Sequence, residues 1–140
     1  SHETKDPGGW ERFAIYCRFL NEEYGRFAAK LKETPEPAGS GSMLDNTLLL
    51  FGSASSAFHL SRNYPLVLAG GKHMGFKHGQ YLNYGPEKPA GGPWNGGREP
   101  WQKDIVHDDI PLSNLFVTML QRLGVETNRF ADSTGTVTDV

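Results

Sequence analysis

Asn46-Thr47-Leu48-Leu49-Leu50-Phe51-Gly52 is an uninterrupted apolar run closed at both ends by turn-forming residues. Four apolar residues in a row, with no polar alternation, predict a strand buried on both faces, as in a parallel sheet covered by helices. Pro65-Leu66-Val67-Leu68-Ala69 repeats the pattern and stops at Gly70-Gly71. The long connection between the two runs predicts that they lie side by side and parallel.

Helical patterns flank this pair. After the Pro7-Gly8-Gly9 turn, Phe13, Cys17, Leu20, Tyr24, Phe27, Ala28 and Leu31 recur at spacings of three and four, which predicts one amphipathic helix. Gly25 weakens that helix, and Pro35 and Pro37 end it before the small-residue loop 38–42. Near the other end, Leu112, Leu115, Phe116, Met119, Leu120 and Leu123 form a second apolar stripe. Pro111 suits its first turn, Asp109 is the expected cap, and Gly124 is the expected helix-ending glycine. The stretch 84–109 shows no periodicity, is rich in Gly and Pro, carries Trp94 and Trp101, and reads as a loop insertion. The tail from Phe130 is expected on the surface.

The order helix, strand, strand, helix belongs to an α/β layer fold. A length of 140 residues leaves room for a single modest domain, 1–140. Two strands do not sustain a doubly covered sheet alone, so further strands are expected from outside this stretch. The chain opens on Ser1-His2-Glu3, which reads as a start inside a longer protein or as a tag remnant.

Bulk chemistry excludes several classes. A formal net charge of -2, with no cluster of Lys and Arg, argues against nucleic acid as a partner. The single cysteine, Cys17, forms no disulfide within the chain and no thiolate metal cage. The longest apolar run is too short for a membrane span. Gly52-Ser53-Ala54-Ser55-Ser56 is neither a nucleophile elbow nor a phosphate loop.

Histidines remain as the candidate ligands or bases. His59 follows the first strand, at the sheet edge where α/β proteins bind ligands, although a backbone-bonded loop histidine or a core histidine fits equally. His73 and His78 flank Gly75-Phe76-Lys77 and could converge on a metal or sit there without purpose. His107, Asp108 and Asp109 are better explained as the start of the last helix.

Five segments stand out together: Ser42-Met43-Leu44-Asp45-Asn46-Thr47 through Ser53, His59 with Asn63 through Gly71, and Gly75-Phe76-Lys77-His78-Gly79-Gln80-Tyr81-Leu82. Pro111 through Val125 and Phe130 through Gly135 complete the set. In this order they resemble the HXXSHH-motif family of exported bacterial proteins, itself similar to the alkaline-phosphatase and sulfatase superfamily. Tyr81 stands where the family often has histidine, and Ser1-His2-Glu3 resembles the end of the family signature with Glu3 for its last histidine.

The resemblance implies the C-terminal part of an alkaline-phosphatase-like three-layer fold, mostly parallel sheet with flanking helices. The missing N-terminal portion of that fold would then be a partner. It further implies export to the periplasm or beyond, and a divalent metal (zinc, manganese, calcium or magnesium) acting on a phosphate or sulfate ester of a small molecule or glycan. His2 and His59 are the positions most like the late metal ligands, with Asn63, His73, Lys77 and His78 as the site wall. No catalytic nucleophile is assigned, and the chain alone is expected to be inactive. Two alternatives stand beside this one: a non-catalytic exported binding protein that keeps the fold, and a small independent domain.

Overall fold

The computed structural model describes residues 8–54, 64–84 and 110–140. They fall into two units, one of residues 1–51 and 66–73, the other of residues 52–65 and 74–140.

In the first unit, helix α1 spans Gly9–Glu33. Cys17, Leu20, Tyr24, Ala28 and Leu31 are its less exposed positions, at the predicted three-and-four spacing, and only Leu31 is fully buried. Phe13 and Phe27, expected in the same stripe, are instead exposed, as are Trp10, Ile15, Tyr16 and Phe19. The helix stops where the Thr34 N–H and hydroxyl both close on the Lys30 carbonyl, at 3.1 and 2.7 Å, directly before Pro35. Ion pairs between Arg18 and Glu22 (2.7 Å) and between Arg26 and Glu23 lie exposed on its outer face, where such pairs add little.

Gly25 lies inside α1 with nothing within 4 Å of the place a Cβ would take. Replacing it therefore removes only the entropic cost of glycine. Gly25→Ala is expected to raise stability by about 1 kcal/mol. A denaturant midpoint that moves down would show a hidden packing role.

The 38–42 segment, expected as a flexible loop, is closed by pairing across it. Pro35 and Ser42 form an antiparallel bridge, with Glu36 N–H on the Gly41 carbonyl (3.1 Å) and Met43 N–H on the Thr34 carbonyl (2.8 Å). A 3₁₀ turn, Met43–Asn46, follows and feeds strand β1, Leu48–Gly52, which pairs with β2, Leu66–Gly70.

The two strands are antiparallel, not parallel. The Ser53 N–H meets the Pro65 carbonyl at one end, and Gly70 lies against Thr47 at the other. Nor are they buried on both faces: Leu49 is buried, while Leu50 is 37% and Val67 50% exposed. The Tyr24 ring covers Phe51, stacked at 4.9 Å, so α1 does lie on one face of the pair. An apolar run reports that a strand tolerates burial. The covering layers and the direction of its neighbour are set by what else is present. The result is a mixed α/β arrangement with a two-stranded sheet and two helices.

In the second unit, helix α2 spans Ser113–Arg122, with Leu112 at its N-cap and no side-chain cap. The N-cap is thus Leu112 rather than the expected Asp109, and Pro111 precedes the helix instead of lying in its first turn; Asp109 itself, like nearly all of the 84–109 insertion, lies outside the described residues. The helix ends as predicted at Gly124, whose φ is +82°. The Gly124 N–H bonds the Gln121 carbonyl and the Val125 N–H the Leu120 carbonyl, both at 3.0 Å, the two bonds of a Schellman motif.

Val117, with no exposed surface, is the centre of this unit's small core. The C-terminal tail is tied to α2 rather than loose on the surface. Val137 is buried and exchanges both its backbone groups with the Thr118 hydroxyl at 2.9 Å. The Asn114 side chain holds Thr134 and Gly135. Among the described residues no helix is long and apolar enough to cross a membrane.

Candidate functional site

The 3₁₀ turn after Ser42 is built by a short-range device visible in the sequence as Ser-x-x-Asp before an apolar run. Asp45 Oδ2 reaches back to accept the Ser42 N–H at 2.7 Å and its hydroxyl at 3.0 Å. This turn sets Asn46 beside Glu36 of the preceding hairpin, and the Asn46 amide donates to Glu36 Oε2 at 3.0 Å. The other end of the cluster comes from β2. Gly70 and Gly71 both have positive φ, +78° and +68°, and turn the chain sharply into a second 3₁₀ turn, Lys72–Met74. The Gly71 N–H bonds the Leu44 carbonyl at 3.0 Å, which pins this turn to the first. His73 is thereby brought to Asn46, with Nδ1 3.2 Å from Oδ1.

The donors and acceptors in this chain have one consistent assignment. An ionised carboxylate only accepts, so the amide NH₂ of Asn46 faces Glu36 and its carbonyl oxygen faces His73. His73 must then donate through Nδ1–H, and in the neutral ring the lone pair sits on Nε2. The result is an imidazole held in one tautomer by an amide and a carboxylate, with its second nitrogen directed away from them.

Charge supports the same cluster. The Asp45 carboxyl is held below its ordinary value of 3.8, chiefly by the Ser42 backbone N–H, then by the Ser42 hydroxyl, with the His73 and Lys72 charges adding. A carboxyl lowered in the folded protein stabilises it fully above the unfolded value, and that contribution is lost as pH falls through the folded value. Asp45→Asn is therefore expected to flatten the acid limb of the stability profile below pH 3.8. Denaturant titrations from neutral pH downward test this, and an unchanged limb would remove Asp45 as its source.

Of the expected site residues that are described, His73 is tied into the Asn46–Glu36 network. Lys77 and His78 are exposed and belong to the second unit, whereas His73 belongs to the first. His2, His59 and Asn63 lie outside the described residues. Among the described residues there is no group of three or more His, Cys, Asp or Glu placed to hold a metal ion. Glu36, Asp45 and Asn46 were not singled out by sequence. Only the Ser42-x-x-Asp45 spacing hinted at an ordered turn there.

The second unit contains a cavity of about 360 Å³ lined by Tyr64, Leu112, Ser113, Phe116, Phe130 and Asp132, with Phe116 and Phe130 edge to face at 5.8 Å. The chain matches no protein-family model, no curated protein and no solved structure.

Proposed function

We propose that this chain is the C-terminal portion of an exported protein related to the metal-dependent phosphate and sulfate ester hydrolases. In this reading it contributes His2 and His59 to a divalent-metal site. The observation that carries the reading is that the family-like segments meet in pairs. The Leu44-Asp45-Asn46 segment is bonded to Gly71 and His73, and the 75–82 and 111–125 segments meet where Arg122 donates to the Met74 carbonyl (3.3 Å) and lies over the Phe76 ring at 5.9 Å.

Two histidines would supply imidazole nitrogen to a borderline cation, and the cation would polarise the ester oxygen. The upstream portion would bring the nucleophile, for which this chain has no motif. The test is metal content and aryl phosphate or aryl sulfate hydrolysis, measured on the isolated chain and on the protein carrying the upstream portion. The longer protein is expected to hold a divalent ion that His59→Ala removes, and the isolated chain is expected to show no turnover. A longer protein without metal, indifferent to His59→Ala, would overturn the proposal in favour of a binding protein that keeps the fold.

A further inference from the structure

The cavity of the second unit is walled from three places in the chain: Tyr64 ahead of β2, Ser113 and Phe116 on α2, and Phe130 and Asp132 in the tail. Its volume of about 360 Å³ is that of a small-ligand site. The tail's share of the wall is held in shape. Ala131 has a φ of +49°, the one positive φ outside glycine among the described residues, and its neighbours Phe130 and Asp132 both border the cavity. A residue with a Cβ adopts that conformation only at a cost, and such positions concentrate where a site must be kept in form. The turn is closed on itself, with the Ser133 N–H on the Phe130 carbonyl (3.0 Å) and the Phe130 N–H on the Ser133 hydroxyl (2.9 Å).

We propose that this cavity binds an organic ammonium carrying a small aromatic or apolar group, with the hydrocarbon among the rings and the charge toward Asp132. The wall selects this chemistry in three ways. Tyr64, Phe116 and Phe130 offer apolar surface and ring faces that attract a cation. Asp132 carries the one formal charge among the lining residues, so an anion is repelled and finds no Lys or Arg there. Ser113 is 6% exposed, and its hydroxyl has no hydrogen-bond partner among the described residues, which leaves an acceptor for a ligand N–H. The positive end of α2 opposes a cation only weakly, because its amides are already committed. The Asn114 N–H bonds the Pro111 carbonyl at 2.9 Å and the Leu115 N–H the Leu112 carbonyl at 3.0 Å. The site needs neither a metal nor His2 and His59, so it stands apart from the hydrolase reading.

The experiment is proton–carbon NMR of the aromatic side chains of the 140-residue chain. It is titrated separately with phenethylammonium, phenethyl alcohol and phenylacetate, which share a phenyl group and differ in charge. Phenethylammonium is expected to shift the Tyr64, Phe116 and Phe130 rings saturably and to bind more tightly than the alcohol, with phenylacetate the weakest. Asp132 is exposed, so Asp132→Asn should leave the fold intact, weaken the ammonium by roughly 2–5-fold and leave the alcohol unchanged. Phenylacetate binding as tightly as phenethylammonium, rings that no probe moves saturably, or an ammonium preference that survives Asp132→Asn would each refute the site. The first two outcomes are read on the unsubstituted protein, and none of the three measures metal content or turnover. Failure here therefore leaves the hydrolase reading standing, and the reverse holds too.

Discussion

Gly70→Ala is expected to destabilise the chain by about 3 kcal/mol, through two costs that add. The backbone there has a φ of +78°, which a residue with a Cβ adopts only at a cost of about 1 kcal/mol or more. The new Cβ would also overlap the Thr47 carbonyl oxygen and lie 2.9 Å from both the Leu44 carbonyl oxygen and Leu44 Cδ1. Two of the three obstacles are backbone. They are themselves held, because Leu44 O accepts from Gly71 at 3.0 Å and from Thr47 at 3.3 Å. The Leu44 side chain can turn away but the two carbonyls cannot, so the junction between the first 3₁₀ turn and the end of β2 must open. Gly79 is the control, with a φ of +81° but nothing within 4 Å of its Cβ position. Gly79→Ala should therefore lose only the conformational term, about 1 kcal/mol. Denaturant midpoints for the two variants should be clearly separated. Equal losses would mean that the contact with Thr47 does not constrain the fold.

Asn114→Ala should cost a similar amount for a different reason. The side chain is 4% exposed and holds three partners of the C-terminal tail. Its Oδ1 accepts the N–H groups of Thr134 (2.8 Å) and Gly135 (3.1 Å), and its Nδ2 donates to the Thr134 hydroxyl at 3.1 Å. Alanine removes all three bonds and strands two backbone donors, each worth roughly 1–3 kcal/mol when left unpaired. Partial access to water at the tail brings the expected total to about 3 kcal/mol. Asn114→Asp separates the bonds from the bulk. A carboxylate still accepts both N–H groups, and the Thr134 hydroxyl can turn to donate, so its loss should be about 1 kcal/mol or less. Amide exchange at Thr134 and Gly135 should quicken in Asn114→Ala and stay slow in Asn114→Asp. Unchanged exchange in both would show that the tail is held by Val137 and Thr118 alone.

What could be read from sequence was local. The three-and-four stripe from Cys17 to Leu31, the stop before Pro35 and the Gly124 termination of α2 all depend on residues within one or two turns of each other, and all three are present. The Ser42–Asp45 turn belongs to the same class, since its bonds span three residues. Strand existence was legible in Leu48–Gly52 and Leu66–Gly70 for the same reason, but strand direction was not. Apolar runs are alike in parallel and antiparallel pairs. Only the docking of Gly70 against Thr47, across more than twenty residues of chain, set the direction. That docking also decided the candidate site. His73 stood out as a histidine in a turn, yet its tautomer depends on Asn46, 27 residues away, and Asn46 in turn on Glu36, 10 residues away. Hydrogen-bond partners so far apart in sequence leave no periodic trace, because their meeting follows from the paths of two turns and a strand pair rather than from the residues on either side of them. The sequence by itself determined which segments are helical or extended and where the two helices stop; the tertiary structure alone decided how the strands run and which nitrogen of His73 meets Asn46.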